Sequence, residues 1–376
     1  MKCDKSHLKQ AARIALRGHG RAEPNPLVGC VIADPDGNVI TDAYHARCGE
    51  AHAERIALKR AGQAAHGSTL YTTLEPCTHH GRTPPCTDAI IDAGVARVVF
   101  GTADPNELAA GGAVTLRAHG IEVEHLPTRA TDLLNAAYLH RVGSGLPWIV
   151  AKWAQTLDGR IATSTGDSRW ISSNRSRRLV HRERGRVDAI ITGIGTVLAD
   201  NPQLTARDVR RPRRTPARII IDDQLDTPSD CTLIQTAKSV PTILLCQAHM
   251  ADSSRADSLR THGAIIEPLG ERGAITPAIA RISQSNSWAT ILVEAGGGTT
   301  GRLFKEGLVN EALVFIAPKL LGDADAPSAV RGMNAAQITD GITLDPIAVF
   351  PRQHDIVAWY RPSEPSTASS TQSPQA

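Results

Sequence analysis

Four residues in the first quarter of the chain restrict its fold and chemistry most: His52, Glu54, Cys77 and Cys86. One histidine and two cysteines can give Zn²⁺ three protein ligands, and a fourth position left for water is typical of a catalytic zinc. Glu54 follows His52 by two residues, so we expect its carboxylate beside the metal without being a ligand. There it can take a proton from water and give it to a leaving amine. A single cysteine is usually just a small buried hydrophobe, so the prediction rests on the combination.

The spacing of these residues resembles the His-x-Glu…Pro-Cys-x-x-Cys signature of zinc-dependent nucleobase deaminases. His52-Ala53-Glu54 and Pro76-Cys77 match it, but eight residues instead of two separate Cys77 from Cys86. A longer loop can still bring Cys86 to the metal. We therefore expect the same site with an extended loop between the two cysteines.

Composition limits the partners of the protein. The chain has 376 residues, enough for two domains with separate cores. The net charge of +3 does not indicate a basic surface that would bind the phosphates of nucleic acid. Only 3% of the residues are aromatic, which is few for stacking against bases. The chain has 7 cysteines, an odd number that suits a reducing cytoplasm. The sequence contains no apolar run of the length that a signal peptide or a membrane span requires. We expect a cytoplasmic protein that acts on small molecules and binds neither nucleic acid nor membrane; its oligomeric state stays open, and a homo-oligomer is compatible with the sequence.

Apolar strand-length runs alternate with helix-length segments in both halves, which predicts an α/β fold throughout. In the first half we expect a three-layer domain, with the metal ligands at the starts of two helices and on the loop after a strand. The stretch Gly143-Ser144-Gly145-Leu146-Pro147 interrupts the pattern, so the predicted domains are 1–145 and 146–362. Residues 363–376 have nothing to bury and are predicted to form a disordered tail.

A glycine-rich stretch in the second half follows a buried strand and precedes a helix. Gly296, Gly298 and Gly301 fit the pattern G-x-G-x-x-G, in which a backbone approaches phosphate at a helix N-terminus. A plain tight turn would use glycines as well, and too little sequence follows for a complete Rossmann domain. Gly193-Ile194-Gly195-Thr196 is a second candidate loop beside the same ligand.

The motifs of both halves resemble, in the same order, those of the bifunctional riboflavin-biosynthesis deaminase–reductases. The resemblance rests on the zinc motifs and on these further stretches: Asn25-Pro26, Val28-Gly29-Cys30, Thr156-Leu157-Asp158-Gly159, Trp170-Ile171, Thr196-Val197-Leu198-Ala199-Asp200-Asn201-Pro202, Val293-Glu294-Ala295-Gly296 and Ala317-Pro318-Lys319-Leu320-Leu321-Gly322. It implies a cytidine-deaminase-like three-layer domain followed by a dihydrofolate-reductase-like α/β domain that uses NADPH. It also implies two reactions: removal of the 2-amino group of 2,5-diamino-6-ribosylamino-4(3H)-pyrimidinone 5′-phosphate, then reduction of the ribosyl group of the product to ribityl.

The same resemblance implies roles for individual residues of the first half. His52, Cys77 and Cys86 would bind Zn²⁺, and Glu54 would carry the proton. The substrate contacts would be Asn25, His45, His79, His80 and Arg82. His79 or His80 could equally hold a zinc ligand through a hydrogen bond. The family more often has proline after the asparagine of Asp104-Pro105-Asn106-Glu107-Leu108, and we expect this departure to affect only a surface loop.

In the second half the resemblance implies a cofactor site and a substrate site. The cofactor positions are Ala154, Trp170, Thr196, Asp200, Gly296, Gly297, Gly298, Thr299, Thr300, Gly301 and Arg302. The substrate positions are Ser168, Arg184, Leu204, Arg207 and Glu294. Guanidinium groups can bind a phosphate bidentately, which suits Arg184 and Arg207, although a solvated surface arginine is the alternative for each. Lys152 and Asp200 are candidates for transferring a proton or stabilising charge while NADPH supplies the hydride.

Two other functions are compatible with parts of this pattern. A zinc-dependent nucleic-acid deaminase fused to a dinucleotide-binding regulatory module would explain the zinc motif, but the balanced charge and scarce aromatics argue against it. A non-enzymatic zinc-binding interaction protein would leave Glu54 and the motifs of the second half unexplained.

Overall fold

The computed structural model describes residues 2–80, 84–209 and 212–363. Arg82 and the predicted tail beyond Ser363 lie outside the described residues. Within the described ranges, no helix combines the length and apolar character that crossing a bilayer requires.

The first half forms a five-stranded sheet in the order β2-β1-β3-β4-β5. β1 pairs antiparallel with β2 and β3, whereas β3, β4 and β5 are parallel. The strands are β1 Gly29–Ala33, β2 Val39–Tyr44, β3 Thr69–Thr72, β4 Arg97–Phe100 and β5 Glu122–His125. The helices are α1 Lys2–Ala15, α2 Ala53–Ala61, α3 Cys86–Asp92, α4 Gly112–Ala118 and α5 Arg129–Ser144.

Helices cover both faces of this sheet. Ile32 and Leu70 point to the core that contains residues of α2 and α3. Their neighbours Val31 and Tyr71 point to the opposite face and pack with Leu8 of α1, since successive residues of a strand point to opposite sides. Two buried faces explain why β1 is a continuous apolar run, and the predicted three-layer domain is confirmed.

The second half forms a nine-stranded sheet in the order β10-β9-β8-β7-β11-β6-β12-β14-β13. The strands are parallel from β10 to β12, and β14 and β13 add an antiparallel hairpin. The strands are β6 Trp148–Thr156, β7 Ala189–Gly193, β8 Ala217–Ile221, β9 Thr242–Cys246, β10 Ile265–Pro268, β11 Thr290–Val293, β12 Glu311–Ala317, β13 Leu344–Arg352 and β14 Asp355–Pro362. The helices are α6 Asn174–Arg184, α7 Ile194–Asp200, α8 Thr232–Gln235, α9 Ser254–Thr261, α10 Thr276–Asn286 and α11 Gly297–Lys305. Short 3₁₀ helices occur at Gly62–Ala65, Ala248–Met250, Glu271–Gly273 and Ile338–Asp340.

The central parallel strands of this sheet are buried on both faces, because βα units place helices on each side. All five residues of β8 and all five of β9 are buried. In β8, Ile219 belongs to one core and Ile220 to the core on the opposite face. The predicted α/β class of the second half is therefore confirmed. The sheet order also places the ends of β6, β7 and β11 next to one another, which positions the candidate cofactor loops.

Candidate active sites

The three predicted metal ligands converge on one point in the first half. His52 directly precedes α2, Cys86 is the first residue of α3, and Cys77 lies on the loop after β3. Nδ1 of His52 is 3.5 Å from Sγ of Cys77 and 3.4 Å from Sγ of Cys86, and the three ligand atoms lie within 4.8 Å of one another. Ligands bound at 2.0–2.3 Å to a tetrahedral zinc are themselves about 3.6 Å apart. The spacing and the donor types therefore fit Zn²⁺.

Glu54 lies in the first turn of α2, and only 3% of its surface is exposed. Its Oε1 accepts a 3.5 Å hydrogen bond from Oγ1 of Thr72, whereas its buried Oε2 has no partner among the described residues. Burial raises the pKa of this carboxyl above its ordinary value, toward the range in which a carboxyl can both accept and release protons. An unpartnered carboxylate oxygen beside a metal site is available to a reacting molecule.

A cavity of about 180 Å³ opens onto these residues. Asn25 and His45 line it, and Nδ2 of Asn25 is 3.2 Å from Nε2 of His45, whose Nδ1 is 3.1 Å from the carbonyl oxygen of Ala51. His79 also lines it, and its buried Nδ1 has no partner within the described part of the chain. His80 is exposed and does not line the cavity. The structure thus brings three of the predicted substrate contacts to one pocket.

The sequence analysis missed another wall of this cavity. Asp104, Asn106, Tyr138 and Arg141 line it, and the Tyr138 hydroxyl donates a 2.9 Å hydrogen bond to Oδ1 of Asp104. Asp104 is only 8% exposed, so the expectation that this stretch is merely a surface loop was wrong. The stretch follows β4, and β4 runs parallel to β3, which leads to Cys77. Because the carboxyl ends of parallel strands share an edge, that topology was the signal that could have found it.

The two predicted cofactor loops of the second half meet. The amide of Gly296 donates a 3.2 Å hydrogen bond to Oγ1 of Thr196. Gly193 approaches Thr299 so closely that a Cβ on Gly193 would lie 2.1 Å from Oγ1 of Thr299. β11 lies between β6 and β7, so Ala154, near the end of β6, is at the same edge of the sheet. The structure therefore groups these cofactor positions around the N-terminus of α11.

The glycines of this loop differ in the space around them, and therefore in their structural roles. A Cβ on Gly297 would meet the carbonyl oxygen of Ser328 at 2.3 Å, and one on Gly301 would meet that of Arg331 at 1.8 Å. These two glycines allow α11 to pack against the segment 328–331. Gly298 has open space where its Cβ would be, and Gly296 has only Thr196 near it, at 3.8 Å. Backbone amides with open space at a helix N-terminus fit a phosphate of NADPH.

Ser168 and Trp170 lie on the segment between β6 and α6, and Asp200 is the last residue of α7. Nη2 of Arg169 is 3.9 Å from Oδ1 of Asp200, at the end of α7. Trp170 is 61% exposed, and its carbonyl oxygen accepts a 2.6 Å hydrogen bond from Nζ of Lys319. The guanidinium of Arg177 covers one face of this exposed indole, with its Cζ 4.3 Å from the ring centroid, which leaves the other face for a cofactor ring.

Arg302 is already paired with protein groups. Its Nη1 is 3.0 Å and 3.2 Å from the two carboxylate oxygens of Asp223, and its Nη2 donates to the carbonyl oxygen of Gly273. Its guanidinium therefore ties α11 to the loops after β8 and β10. A cofactor contact by Arg302, as implied by the resemblance, would compete with these bonds.

Lys152, Arg184 and Glu294 form a charged cluster whose side chains are only 17%, 13% and 10% exposed. Nε and Nη2 of Arg184 donate to the two oxygens of Glu294 at 2.5 Å and 2.9 Å, and Nζ of Lys152 lies 3.6 Å from Oε2. Burial opposes ionisation of Glu294, but the two cations outweigh it and lower its pKa to about 2. Burial lowers the pKa of Lys152. Because Nε and Nη2 of Arg184 both donate to Glu294, this guanidinium has no free pair of donors for bidentate binding of a phosphate.

Leu204 and Arg207 lie on the loop that packs beside this cluster. Nη1 of Arg184 donates a 3.2 Å hydrogen bond to the carbonyl oxygen of Thr205. Arg207 is exposed and donates a 2.6 Å hydrogen bond from Nη1 to Gln203, and its other guanidinium nitrogens have no hydrogen-bond partner among the described residues. The side chain of Leu204 is buried in the core, so a substrate contact there would have to involve its main chain.

The geometry of the metal ligands predicts a large effect of Cys77→Ala. We expect this variant to lose most of its zinc, since a two-ligand site binds far more weakly than a three-ligand one. Metal analysis of purified protein measures the zinc content per chain. Cys30→Ala is the matched control, because Cys30 is also a buried cysteine of the first half but lies outside the ligand cluster. Undiminished zinc in Cys77→Ala would contradict the ligand assignment.

Two family models match the chain. The cytidine and deoxycytidylate deaminase zinc-binding region matches residues 1–102, and the RibD C-terminal domain matches residues 147–356. The first covers the zinc site, and the second covers the candidate cofactor and substrate residues of the nine-stranded sheet.

Whole proteins and solved structures are similar over most of their length. The riboflavin biosynthesis protein RibD of Actinobacillus pleuropneumoniae is 37% identical over 91% of this chain and 90% of its own. That of Escherichia coli is 41% identical over 85% and 89%. Acinetobacter baumannii RibD, form 1, aligns with a TM-score of 0.81 and 33% identity over 96% of this chain and 99% of that one. The Thermotoga maritima deaminase/reductase structure aligns with a TM-score of 0.80 and 30% identity over the same shares, 96% and 99%. The chain therefore belongs to the family of bifunctional deaminase–reductases of riboflavin biosynthesis.

Proposed function

We propose that the first half deaminates 2,5-diamino-6-ribosylamino-4(3H)-pyrimidinone 5′-phosphate and that the second half reduces the resulting 5-amino-6-(5-phosphoribosylamino)uracil to the ribitylamino compound. The T. maritima relative is a diaminohydroxyphosphoribosylaminopyrimidine deaminase/5-amino-6-(5-phosphoribosylamino)uracil reductase. The observation that carries the proposal is the convergence of His52, Cys77 and Cys86 beside the unpartnered carboxylate oxygen of Glu54.

In the deaminase site the side chains divide into those that hold zinc and those that handle protons. His52, Cys77 and Cys86 would hold Zn²⁺, which polarises water for attack on the pyrimidine ring. Glu54 takes a proton from the attacking water and passes it to the leaving amine. Asn25 and His45 are fixed by their mutual hydrogen bond, so they can orient a ring in the cavity.

In the reductase site the chain mainly orients its ligands. The edge formed by Thr196 and Gly296 would hold NADPH, which supplies the hydride. Lys152 is kept beside Glu294, and its ammonium group can stabilise negative charge that develops on the sugar oxygen during reduction. Arg207, with part of its guanidinium free, is the candidate for the substrate phosphate.

A coupled assay tests both proposed activities at once. Purified chain is given the deaminase substrate with NADPH, and ammonia release and NADPH oxidation are recorded separately. Ammonia should appear without NADPH, whereas NADPH should be oxidised only after deamination or when the deaminated substrate is added. A chain that releases no ammonia from this substrate when loaded with zinc would contradict the deaminase assignment.

We also propose the division into domains 1–145 and 146–362. The stretch 143–147 contains the end of α5 and the link to β6, and the core clusters of the nine-stranded sheet contain no residue before Leu146 within the described chain. A fragment that begins at Leu146 should therefore fold and oxidise NADPH with deaminated substrate. A folded fragment that reduces nothing until the first half is added would show that the division is wrong.

Small molecules are the proposed partners, with no role for nucleic acid or membrane, and the cytoplasm is the proposed location. The arginines Arg175, Arg178, Arg182 and Arg352 do line a groove of about 510 Å³ in the second half. None of the described residues that line it is aromatic, so bases would find no stacking surface. Fluorescence anisotropy with labelled single-stranded DNA tests this at physiological salt, where binding tighter than micromolar would contradict the proposal.

A further inference from the structure

One wall of the deaminase cavity is the segment 19–26, which contains three cavity-lining residues, Pro24, Asn25 and Pro26. Nδ2 of Asn25 is 3.2 Å from His45, so the path of this segment sets the position of a polar pair in the cavity. Nη2 of Arg141, from α5, donates a 2.7 Å hydrogen bond to the carbonyl oxygen of Pro24. The first half also holds the segment through the amide of Cys48, which donates a 3.0 Å hydrogen bond to the carbonyl oxygen of Arg21.

The second half holds the segment through Arg213, which donates to the carbonyl oxygen of His19, and through Arg214. Nε of Arg214 donates a 2.9 Å hydrogen bond to the carbonyl oxygen of Gly20, and its Nη2 donates one of 2.8 Å to that of Glu23. The Glu23 carboxylate in turn accepts hydrogen bonds from the Gly20 amide at 2.8 Å and 3.0 Å. One planar guanidinium therefore fixes both ends of the turn that leads into the cavity wall.

Arg214 is itself held by the sheet of the second half. Its Nη1 pairs with Asp188, whose Oδ2 accepts hydrogen bonds from the amides of Ala289 and Thr290 at 2.8 Å and 2.9 Å. Gly20, with φ of +85°, lies so close to Arg186 that a Cβ would be 3.0 Å from its Cα. The segment thus rests on a rigid part of the second half.

These contacts lie at the edge of the sheet opposite the cofactor loops. Asp188 directly precedes β7 and Arg214 lies just before β8, whereas Thr196 and Gly296 follow the carboxyl ends of β7 and β11. A change at Arg214 can therefore alter the deaminase cavity without reaching the site of reduction.

We propose that Arg214 is a positioning residue for deamination: from the reductase half, it holds the segment 19–26 that forms one wall of the deaminase cavity. The inference rests on the proposed deaminase function. It assigns to the second half a part in the first reaction, in addition to its own.

The test compares Arg214→Gln and Arg214→Lys with the wild-type full-length chain. Lysine keeps the charge beside Asp188 but cannot direct two fixed donors at the carbonyl oxygens of Gly20 and Glu23. We expect the KM for ammonia release to rise about tenfold in Arg214→Gln, the factor that 1.4 kcal/mol of lost binding produces, and by less in Arg214→Lys. Turnover at saturation, zinc content and NADPH oxidation with deaminated substrate should stay within about twofold, because the chemical groups of both sites are untouched.

Two further measurements separate positioning from a general loss of stability. Amide hydrogen exchange should become faster at Arg21, Ala22 and Asn25, whose amides donate to the carbonyl oxygens of Gly18 and Ala22 and so depend on the path of the segment. Arg260→Gln is the control, because Arg260 also pairs with an aspartate and a carbonyl oxygen but lies on α9; it should change neither measurement. Unchanged KM and exchange in both Arg214 variants would overturn the inference, as would equal losses in ammonia release and NADPH oxidation. A wild-type chain that releases no ammonia would instead contradict the proposed function.

Discussion

Glu54→Gln should reduce ammonia release by about 10²–10⁴-fold, the usual contribution of a general acid–base group. Glutamine keeps the shape of the side chain and removes its ability to carry a proton. Zinc should stay bound, because the ligand atoms belong to His52, Cys77 and Cys86. NADPH oxidation with deaminated substrate should be nearly unchanged, since the cofactor loops lie in the other sheet.

Glu50→Gln is the matched control for this experiment, because Glu50 is exposed, near in sequence and, among the residues that the structure describes, paired only with Arg47 at 3.8 Å. It should release ammonia at the wild-type rate. Wild-type activity in a zinc-loaded Glu54→Gln protein would exclude Glu54 and point to another base. Glu75 is a poor substitute, because its two carboxylate oxygens accept hydrogen bonds from the amides of Ala113 at 2.9 Å and Asp104 at 3.4 Å.

Glu294→Gln should destabilise the second half by about 3–5 kcal/mol, the usual effect of removing one partner from a buried ion pair. The neutral amide would leave Arg184 and Lys152 close together without a counter-charge in a site that is largely closed to solvent. Urea unfolding, followed by tryptophan fluorescence, measures the free energy of unfolding. NADPH oxidation should fall as well, because Lys152 loses the carboxylate that holds it.

The same carboxylate gives a pH dependence with a defined sign. The pKa of Glu294 is lowered from 4.5 to about 2, so its ionised form stabilises the folded protein above pH 4.5. That stabilisation, roughly 3 kcal/mol for a pKa shift of this size, is lost as the pH falls from about 4.5 to about 2. We expect the stability of Glu294→Gln to fall less steeply than that of the wild type in this window.

Glu311→Gln is the control for the acid experiment. Glu311 lies on β12 in the same sheet, but burial raises its pKa. Making this side chain neutral should therefore change the free energy of unfolding little. Its hydrogen bond from Nε1 of Trp148, 2.9 Å long, can be kept by an amide oxygen. Equal destabilisation by both substitutions, with the same acid profile, would contradict the role assigned to the Glu294 cluster.

The zinc ligands and the α/β class could be predicted from sequence because both are local signals. His52 and Glu54 lie at the start of one helix, and Cys77 and Cys86 belong to one loop and the helix after it. Strands that are buried on both faces appear as apolar runs whatever their neighbours are. The glycine loop was found for the same reason, as a turn between a strand and a helix.

What the sequence could not show is which distant groups these residues contact. Arg184 pairs with Glu294, 110 positions away in the chain, and Arg302 pairs with Asp223. The glycine pattern also did not show that its glycines have different roles. Gly297 and Gly301 allow backbone packing, whereas Gly298 borders open space. Such contacts depend on the order of the strands in the sheet.

Arg214 is the clearest example of a residue whose contacts could not be predicted from the sequence. In the sequence it belongs to a run of arginines without any recognisable motif, Arg210-Arg211-Pro212-Arg213-Arg214. In the structure it joins Asp188 to the carbonyl oxygens of Gly20 and Glu23. By itself, therefore, the sequence determined the α/β class of both halves and the His/Cys/Cys zinc site, and it predicts Glu54 as the proton carrier. Only the tertiary structure decided which charges are paired and which segment forms the cavity wall. The charge pairs join residues that are distant in the chain and meet when the strands of the second half assemble, and the contacts of Arg214 with the cavity wall form only when the two halves pack.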